Sequence, residues 1–177
     1  MSRSRTRGIA RPPDARRAYD VLFLCTGNSA RSLMAEATLA RLGAPRYRAF
    51  SAGSRPEGEP HPMALEVLRG RGYETKDLRS KSWDEFSGPG GPSLDFIITV
   101  CGNAARETCP VWPGRPITAH WGVDDPAAFV GTPERTRAFF EEVHDTLRLR
   151  IEALVELDPA ALDAADFARR VRAIGQC

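Results

Sequence analysis

The sequence predicts a single α/β domain with a four-stranded parallel sheet flanked by helices on both faces. Three observations carry that prediction. Short, nearly unbroken apolar runs alternate along the chain with amphipathic segments of helical period. The runs lack the in–out alternation of a half-exposed sheet, as expected of strands buried on both faces. A chain of 177 residues with 42% apolar composition holds one core of useful size and is cramped for two.

Asp20 to Cys25 reads as the first strand, and Thr26 to Ser29 as a tight polar loop. From Ala30 to Leu42 the pattern is helical. Leu33, Met34, Ala37 and Leu42 share a face, and Gly43 supplies a stop. Tyr47 to Ser51 is the second strand, closed by Ala52-Gly53, and residues 54–59 form a polar loop. Pro62 suits the first turn of a helix that continues through Leu65, Val67 and Leu68 until Gly72. A short helix is expected over Ser82 to Phe86, followed by a Gly- and Pro-rich surface loop to Pro92. Leu94 to Val100 is the third strand, Asn103 to Thr108 a helical turn or two, and Pro116 to Trp121 the fourth strand. Thr132 is placed to cap a helix with Pro133 in its first turn. Phe140, Val143, Leu147, Ile151 and Leu154 make that helix's apolar stripe, and a last amphipathic helix is expected over Leu162 to Ile174. The expected organisation is a tail over 1–19, the domain over 20–157 and a helical extension over 158–177.

The net charge of +2 implies by itself neither a nucleic-acid nor a membrane partner. Residues 1–19 hold six arginines (3, 5, 7, 11, 16 and 17) against one acid, Asp14, so that segment carries +5. Its composition predicts a disordered tail, and it lacks the apolar run of a secretory signal. No stretch approaches the roughly 18 apolar residues of a membrane span. Four cysteines are few for a disulfide-stapled secreted domain of this size. They read as intracellular thiols with a chemical purpose, in a cytoplasmic protein.

Cys25-Thr26-Gly27-Asn28-Ser29-Ala30-Arg31-Ser32 joins a buried strand to a helix. A cysteine and an arginine flanking a loop of small residues suit a tetrahedral oxyanion. Loop N–H groups point inward, the helix N-terminus adds positive potential, and Arg31 is a bidentate donor. The same field is expected to lower the pKa of Cys25, with Ser29 or Ser32 donating a further hydrogen bond. The bland reading is a buried cysteine with an ordinary surface arginine. The strand–loop–helix context favours the functional one.

Cys101 also ends a buried strand, so in a parallel sheet it shares the carboxyl edge with Cys25, where ligands bind. Cys109 follows eight residues later, before Pro110, a spacing unlike a zinc knuckle. Were the segment helical, the two Cα atoms would lie about 12 Å apart, and a disulfide needs less than about 7 Å. Bridging them would therefore require the segment to unravel.

The stretch Val21 to Glu36 resembles the signature of the low-molecular-weight protein tyrosine phosphatase superfamily and, within it, the thioredoxin-coupled arsenate reductases. The resemblance continues through Phe50 to Gly53, Arg79 to Ser82, Cys101 to Pro110 and His120 to Pro126, covering about residues 20–155. It implies that Asp125, before Pro126, is the general acid, with Asp124 an adjacent candidate. It also implies that arsenate binds in the Cys25–Ser32 loop, with phosphate or sulfate as competing oxyanions. Cys25, Cys101 and Cys109 would form a thiol relay, recharged by thioredoxin, or by glutaredoxin with glutathione, or by mycothiol. No cofactor or metal is expected. The segment between Cys101 and Cys109 is one residue longer than in the relatives, and Cys177 has no counterpart. Relatives with a potassium site use Asn, Glu, Ser and Asp. Here Asn28, Glu36 and Ser51 match and the fourth position falls at Lys81, whose ammonium is expected to replace the cation.

Two rivals share parts of this pattern. A phosphatase acting on phosphotyrosine or small aryl phosphates uses Cys25, Arg31 and Asp125 but not the other thiols. Its usual aromatic grip after the Asp-Pro is thin here, with Phe129 the only candidate. A non-enzymatic redox or arsenic sensor needs neither Arg31 nor Asp125.

Overall fold

The structure, a computed structural model, describes residues 17–176. Most of the expected Arg-rich tail, and Cys177, lie outside the described residues. Four strands form one parallel sheet in the order β2-β1-β3-β4: β1 (Tyr19–Cys25), β2 (Tyr47–Gly53), β3 (Phe96–Thr99) and β4 (Ile117–His120). The helices are α1 (Arg31–Leu42), α2 (Pro62–Gly70), α3 (Asp84–Ser87), α4 (Pro133–Glu156) and α5 (Ala164–Ile174).

The central strand β1 pairs on both sides, and Val21, Leu22, Phe23 and Leu24 are fully buried. Alternation along the strand splits these residues between two cores. Val21, Phe23 and Cys25 face the larger one, with residues of α1, α2, α4 and α5. Leu22 and Leu24 face a smaller one, closed by Phe86 of α3 with Leu94 and Ile97. Helices therefore cover both faces, but among the described residues the second face carries only a single short turn of helix. All five residues of the α4 stripe are buried. A sixth buried residue, His144, accompanies them.

The first strand begins one residue before the expected Asp20. Tyr19 opens β1 and packs on Tyr47 and Phe96, with ring centroids 5.6 and 6.0 Å away. Arg17 grips both carboxylate oxygens of Asp95, at 2.9 and 2.6 Å. At the other end α5 is part of the same core. Phe167 packs on Phe96 at 5.8 Å, and the Trp121 indole donates to the Val171 carbonyl at 2.9 Å.

The expected helical turns at Asn103 to Thr108 are a run of turns without a regular helix. The Ala104 N–H goes to the Cys101 thiol at 3.3 Å. Only Ala105, Arg106 and Glu107 donate to backbone carbonyls, those of Cys101 and Asn103. The ladder therefore never propagates, and a short helix without one is unfavourable. Among the described residues no helix is long and apolar enough to cross a membrane.

Candidate active site

Cys25 is the last residue of β1, and Arg31 is the first of α1. Between them the chain turns with Asn28 at φ 44°, the left-handed region that asparagine tolerates better than most residues. α1 begins without a capping side chain and without an acid in its first turn. Its leading N–H groups are therefore not spent on a local carboxylate or hydroxyl cap.

The loop carbonyls are held from outside. Thr26 O accepts from Arg55 N at 3.0 Å, Gly27 O from Glu57 N at 2.9 Å and Ser29 O from His61 N at 2.8 Å. A planar peptide carries its N–H opposite its C=O, so anchoring the carbonyls outward turns the amides inward. The segment joining β2 to α2 thus shapes the anion loop through its backbone. The sequence pattern predicts only a polar loop there, because no side-chain pattern marks backbone bonds. Gly53, which ends β2, makes the approach possible: a Cβ there would lie 2.4 Å from the Thr26 carbonyl.

Cys25 is 3% exposed. Its sulfur lies 2.9 Å from the Ser32 hydroxyl and accepts from the Asn28 N–H at 3.2 Å. Asn28 Nδ2 donates to Ser32 Oγ at 2.8 Å, which leaves the Ser32 hydrogen free to point at the thiol. Ser32, rather than Ser29, therefore supplies the hydroxyl contact. Asn28 also donates to Ser51 Oγ at 2.9 Å and accepts from Lys81 N at 2.8 Å. Ser51 in turn donates to Glu36. The Lys81 ammonium donates to Ser51 Oγ and Glu36 Oε2, both at 3.3 Å, and to the Arg79 carbonyl at 3.1 Å. A continuous hydrogen-bond chain thus runs from Lys81 through Ser51, Asn28 and Ser32 to the Cys25 sulfur.

The expected lowering of the Cys25 pKa is opposed by its burial. Burial pushes the thiol up, and this outweighs the hydrogen bonds from Ser32 that pull it down. The neighbouring Cys101 pushes it up further, and Arg31 has the smallest opposing effect. Arg31 is engaged elsewhere. It bonds Asp125 Oδ2 at 2.8 Å and the Val123 carbonyl at 3.3 Å. In the Lys81 cluster, burial lowers the ammonium's pKa and raises that of Glu36. Each shift is held back by the other group's charge.

Asp125 also accepts from Ala127 N at 3.0 Å, starting the 3₁₀ turn Pro126–Ala128. This bonding places Asp125, rather than Asp124, against Arg31. Phe129 packs on Phe139 of α4 with centroids 5.1 Å apart. Cys25, Cys101 and Cys109 are free thiols, the first two buried and the third exposed. Cys101 meets the anion loop through Thr26, whose hydroxyl is 3.7 Å from its sulfur. The same hydroxyl donates to Glu107 at 3.3 Å, a contact the sequence reading missed. Neither Cys25 nor Cys101 is hydrogen-bonded to Cys109. Among the described residues no group of His, Cys, Asp and Glu is arranged to hold a metal.

The site can bind a tetrahedral anion between loop amides and Arg31, with a thiol beneath it, a carboxyl group beside it and a second thiol within reach of the loop. Known proteins are similar to this chain in sequence and fold. An arsenate reductase of Bacillus licheniformis is 37% identical, the match spanning 77% of this chain and 94% of that protein. The crystal structure of an arsenate reductase from Archaeoglobus fulgidus is 30% identical with a TM-score of 0.60, covering 77% of this chain and 99% of that one. A thioredoxin-dependent arsenate reductase of Corynebacterium glutamicum is 26% identical with a TM-score of 0.55, covering 77% of this chain and 61% of that one. The sequence profile of the low molecular weight phosphotyrosine protein phosphatases matches residues 20–167, reaching into α5 and so beyond the expected limit near 155. By fold, by site geometry and by this match, the chain belongs to the low molecular weight phosphotyrosine protein phosphatase family.

Proposed function

We propose that the chain reduces arsenate to arsenite through Cys25, Cys101 and Cys109. The observation that carries this reading is the placement of a second buried thiol, Cys101, against the Cys25 loop through Thr26. Hydrolysis of a phosphoester has no role for that thiol.

Arsenate enters the loop Thr26 to Ser32 and takes Arg31 from Asp125. The Cys25 thiolate attacks arsenic, one oxygen leaves as water, and the Asp125 carboxyl supplies a proton to it. Cys101 then attacks the Cys25 sulfur. A disulfide forms, the arsenic–sulfur bond breaks, and its electron pair stays on arsenic, which falls from +5 to +3 and departs as arsenite. Cys109 attacks Cys101, releasing Cys25 as thiolate and leaving a Cys101–Cys109 disulfide. An external dithiol reduces that bond. Thioredoxin is the favoured donor, since one of the similar structures is thioredoxin-dependent, and glutaredoxin with glutathione suits the same exposed thiol. Phosphate and sulfate compete with arsenate as tetrahedral oxyanions. The reaction belongs in the reducing cytoplasm.

The Lys81 ammonium stands in for the monovalent cation used by relatives, holding Ser51 and Glu36 so that Asn28 and Ser32 keep their orientation. The deciding experiment is arsenate turnover with purified thioredoxin and glutaredoxin systems, run beside aryl phosphate hydrolysis. Arsenate reduction that stops after at most one cycle in Cys101→Ser and in Cys109→Ser supports the relay. Aryl phosphate turnover that survives both substitutions, without arsenate reduction, assigns the site to a phosphatase.

A further inference from the structure

The segment between Cys101 and Cys109 contains a carboxylate with a specific partner. Glu107 Oε1 accepts from the Thr26 hydroxyl at 3.3 Å, and that hydroxyl lies 3.7 Å from the Cys101 sulfur. A hydroxyl has one hydrogen to donate, and a carboxylate is a better acceptor than a thiol. Thr26 therefore gives its hydrogen to Glu107 and offers a lone pair to the Cys101 S–H. The result is a chain, Cys101 to Thr26 to Glu107, whose bonds reinforce one another. Glu107 also donates its N–H to Asn103 O at 3.1 Å. Among the described residues it is the last before Cys109 with a hydrogen bond to the rest of the protein. Thr108 and Cys109 have none, and both are exposed.

We propose that Glu107 is a positioning latch for the second thiol step: it ties the Cys101–Cys109 segment to the anion loop through Thr26 and keeps Cys109 unreactive until Cys101 has bonded to Cys25. The proposal rests on the relay reading above. Once Cys101 is in a disulfide it has no S–H to give Thr26, so the chain loses its first link and the latch weakens. Cys109, freed with the segment, attacks the Cys101 sulfur. The Cys25–Cys101 bond breaks, its electron pair leaves on Cys25, and the Cys109 proton passes to solvent, with no net oxidation in the exchange. The local electrostatics agree. Partial burial, and then the charge of Glu107, raise the thiol pKa of the largely exposed Cys109, which disfavours its thiolate while the segment is closed.

The test uses the reduced full-length protein without arsenate. Alkylation of Cys109 by iodoacetamide is followed by mass spectrometry from pH 6 to 10, with amide hydrogen exchange over residues 101–109 alongside. Glu107→Gln keeps an acceptor for Thr26 but removes the charge. Its Cys109 profile is expected to move acidward, with alkylation at pH 7 about threefold faster. Glu107→Ala is expected to show that shift and faster exchange over 101–109 as well. Unchanged alkylation of Cys25 in both variants confirms that the fold is intact. Cys109 profiles that superimpose on wild type in both variants, or unchanged exchange in Glu107→Ala, would overturn the proposal. Neither readout depends on arsenate turnover, so failure here leaves the relay standing, and failure of the relay leaves the latch result readable.

Discussion

Replacing Lys81 with methionine removes an ammonium from a site where its charge is matched by a single carboxylate. The Lys81 side chain is 5% exposed, and that of Glu36 15%. In Lys81→Met the Glu36 carboxylate stays sequestered with only the Ser51 hydroxyl, and the Arg79 carbonyl loses its donor. Breaking a buried pair from one side costs about 3–5 kcal/mol, and partial water access to Glu36 puts the expectation near the lower end, about 3 kcal/mol. With a urea m-value of about 2 kcal/mol/M, the unfolding midpoint falls by about 1.5 M. Glu36→Gln in the Lys81→Met background removes the stranded charge and recovers part of the loss. Urea unfolding at constant ionic strength, in potassium and in choline chloride, is the assay. Wild type is expected to be indifferent to the cation. A midpoint shift below about 0.3 M in Lys81→Met would refute the pairing, being no larger than the loss of an exposed pair, about 0.2–1 kcal/mol. Stabilisation of wild type by potassium would refute the stand-in role.

Stability should also fall in acid because of His144. Its pKa is lowered to about 4 from 6.5 by burial and then by Arg71, which lies 2.7 Å from Nδ1. The folded value lies below the unfolded one. Its contribution is therefore fully present above about pH 6.5 and is lost as pH falls through about 4, reaching about 3 kcal/mol. His144→Gln should flatten that limb of the stability-versus-pH curve, measured by urea midpoints between pH 7 and 4. At the site, Ser32→Ala removes the hydroxyl that favours the Cys25 thiolate. The alkylation profile of Cys25 should move alkaline, because a hydrogen bond to the charged form is lost. A profile that stays in place would remove Ser32 from the activation of the nucleophile.

What was legible in the sequence was local. Val21 to Leu42 carries a buried strand, an anion loop and a helix in one continuous segment, so period and residue type suffice to place Cys25, Arg31 and Ser32. The Lys81 position was reached through resemblance, and three hydrogen bonds describe its ammonium. What depends on distant partners was not legible. The stripe on α4 predicts that residues around His144 are buried. It does not predict that Thr38 and Arg71, from other segments, meet the two ring nitrogens. Residues 103–108 look helical by composition, but the Ala104 amide is captured by the Cys101 sulfur and Glu107 by Thr26. The burial that pushes the Cys25 thiol up is not visible in pattern, which shows the donors around a thiol and not how far from water it sits. The carbonyl anchors from Arg55, Glu57 and His61 are backbone bonds, which leave no trace in side-chain type.

The relay itself is tested most directly by trapping its middle. Reduced Cys109→Ser protein is given one equivalent of arsenate without a donor, quenched with alkylating agent and mapped by mass spectrometry. One equivalent of arsenite with a Cys25–Cys101 disulfide is the predicted result, and wild type treated alike should carry Cys101–Cys109 instead. Arsenite release with Cys25 and Cys101 both alkylated, or a disulfide that omits Cys101, would contradict the assignment of Cys101 as the thiol that sends the electron pair to arsenic.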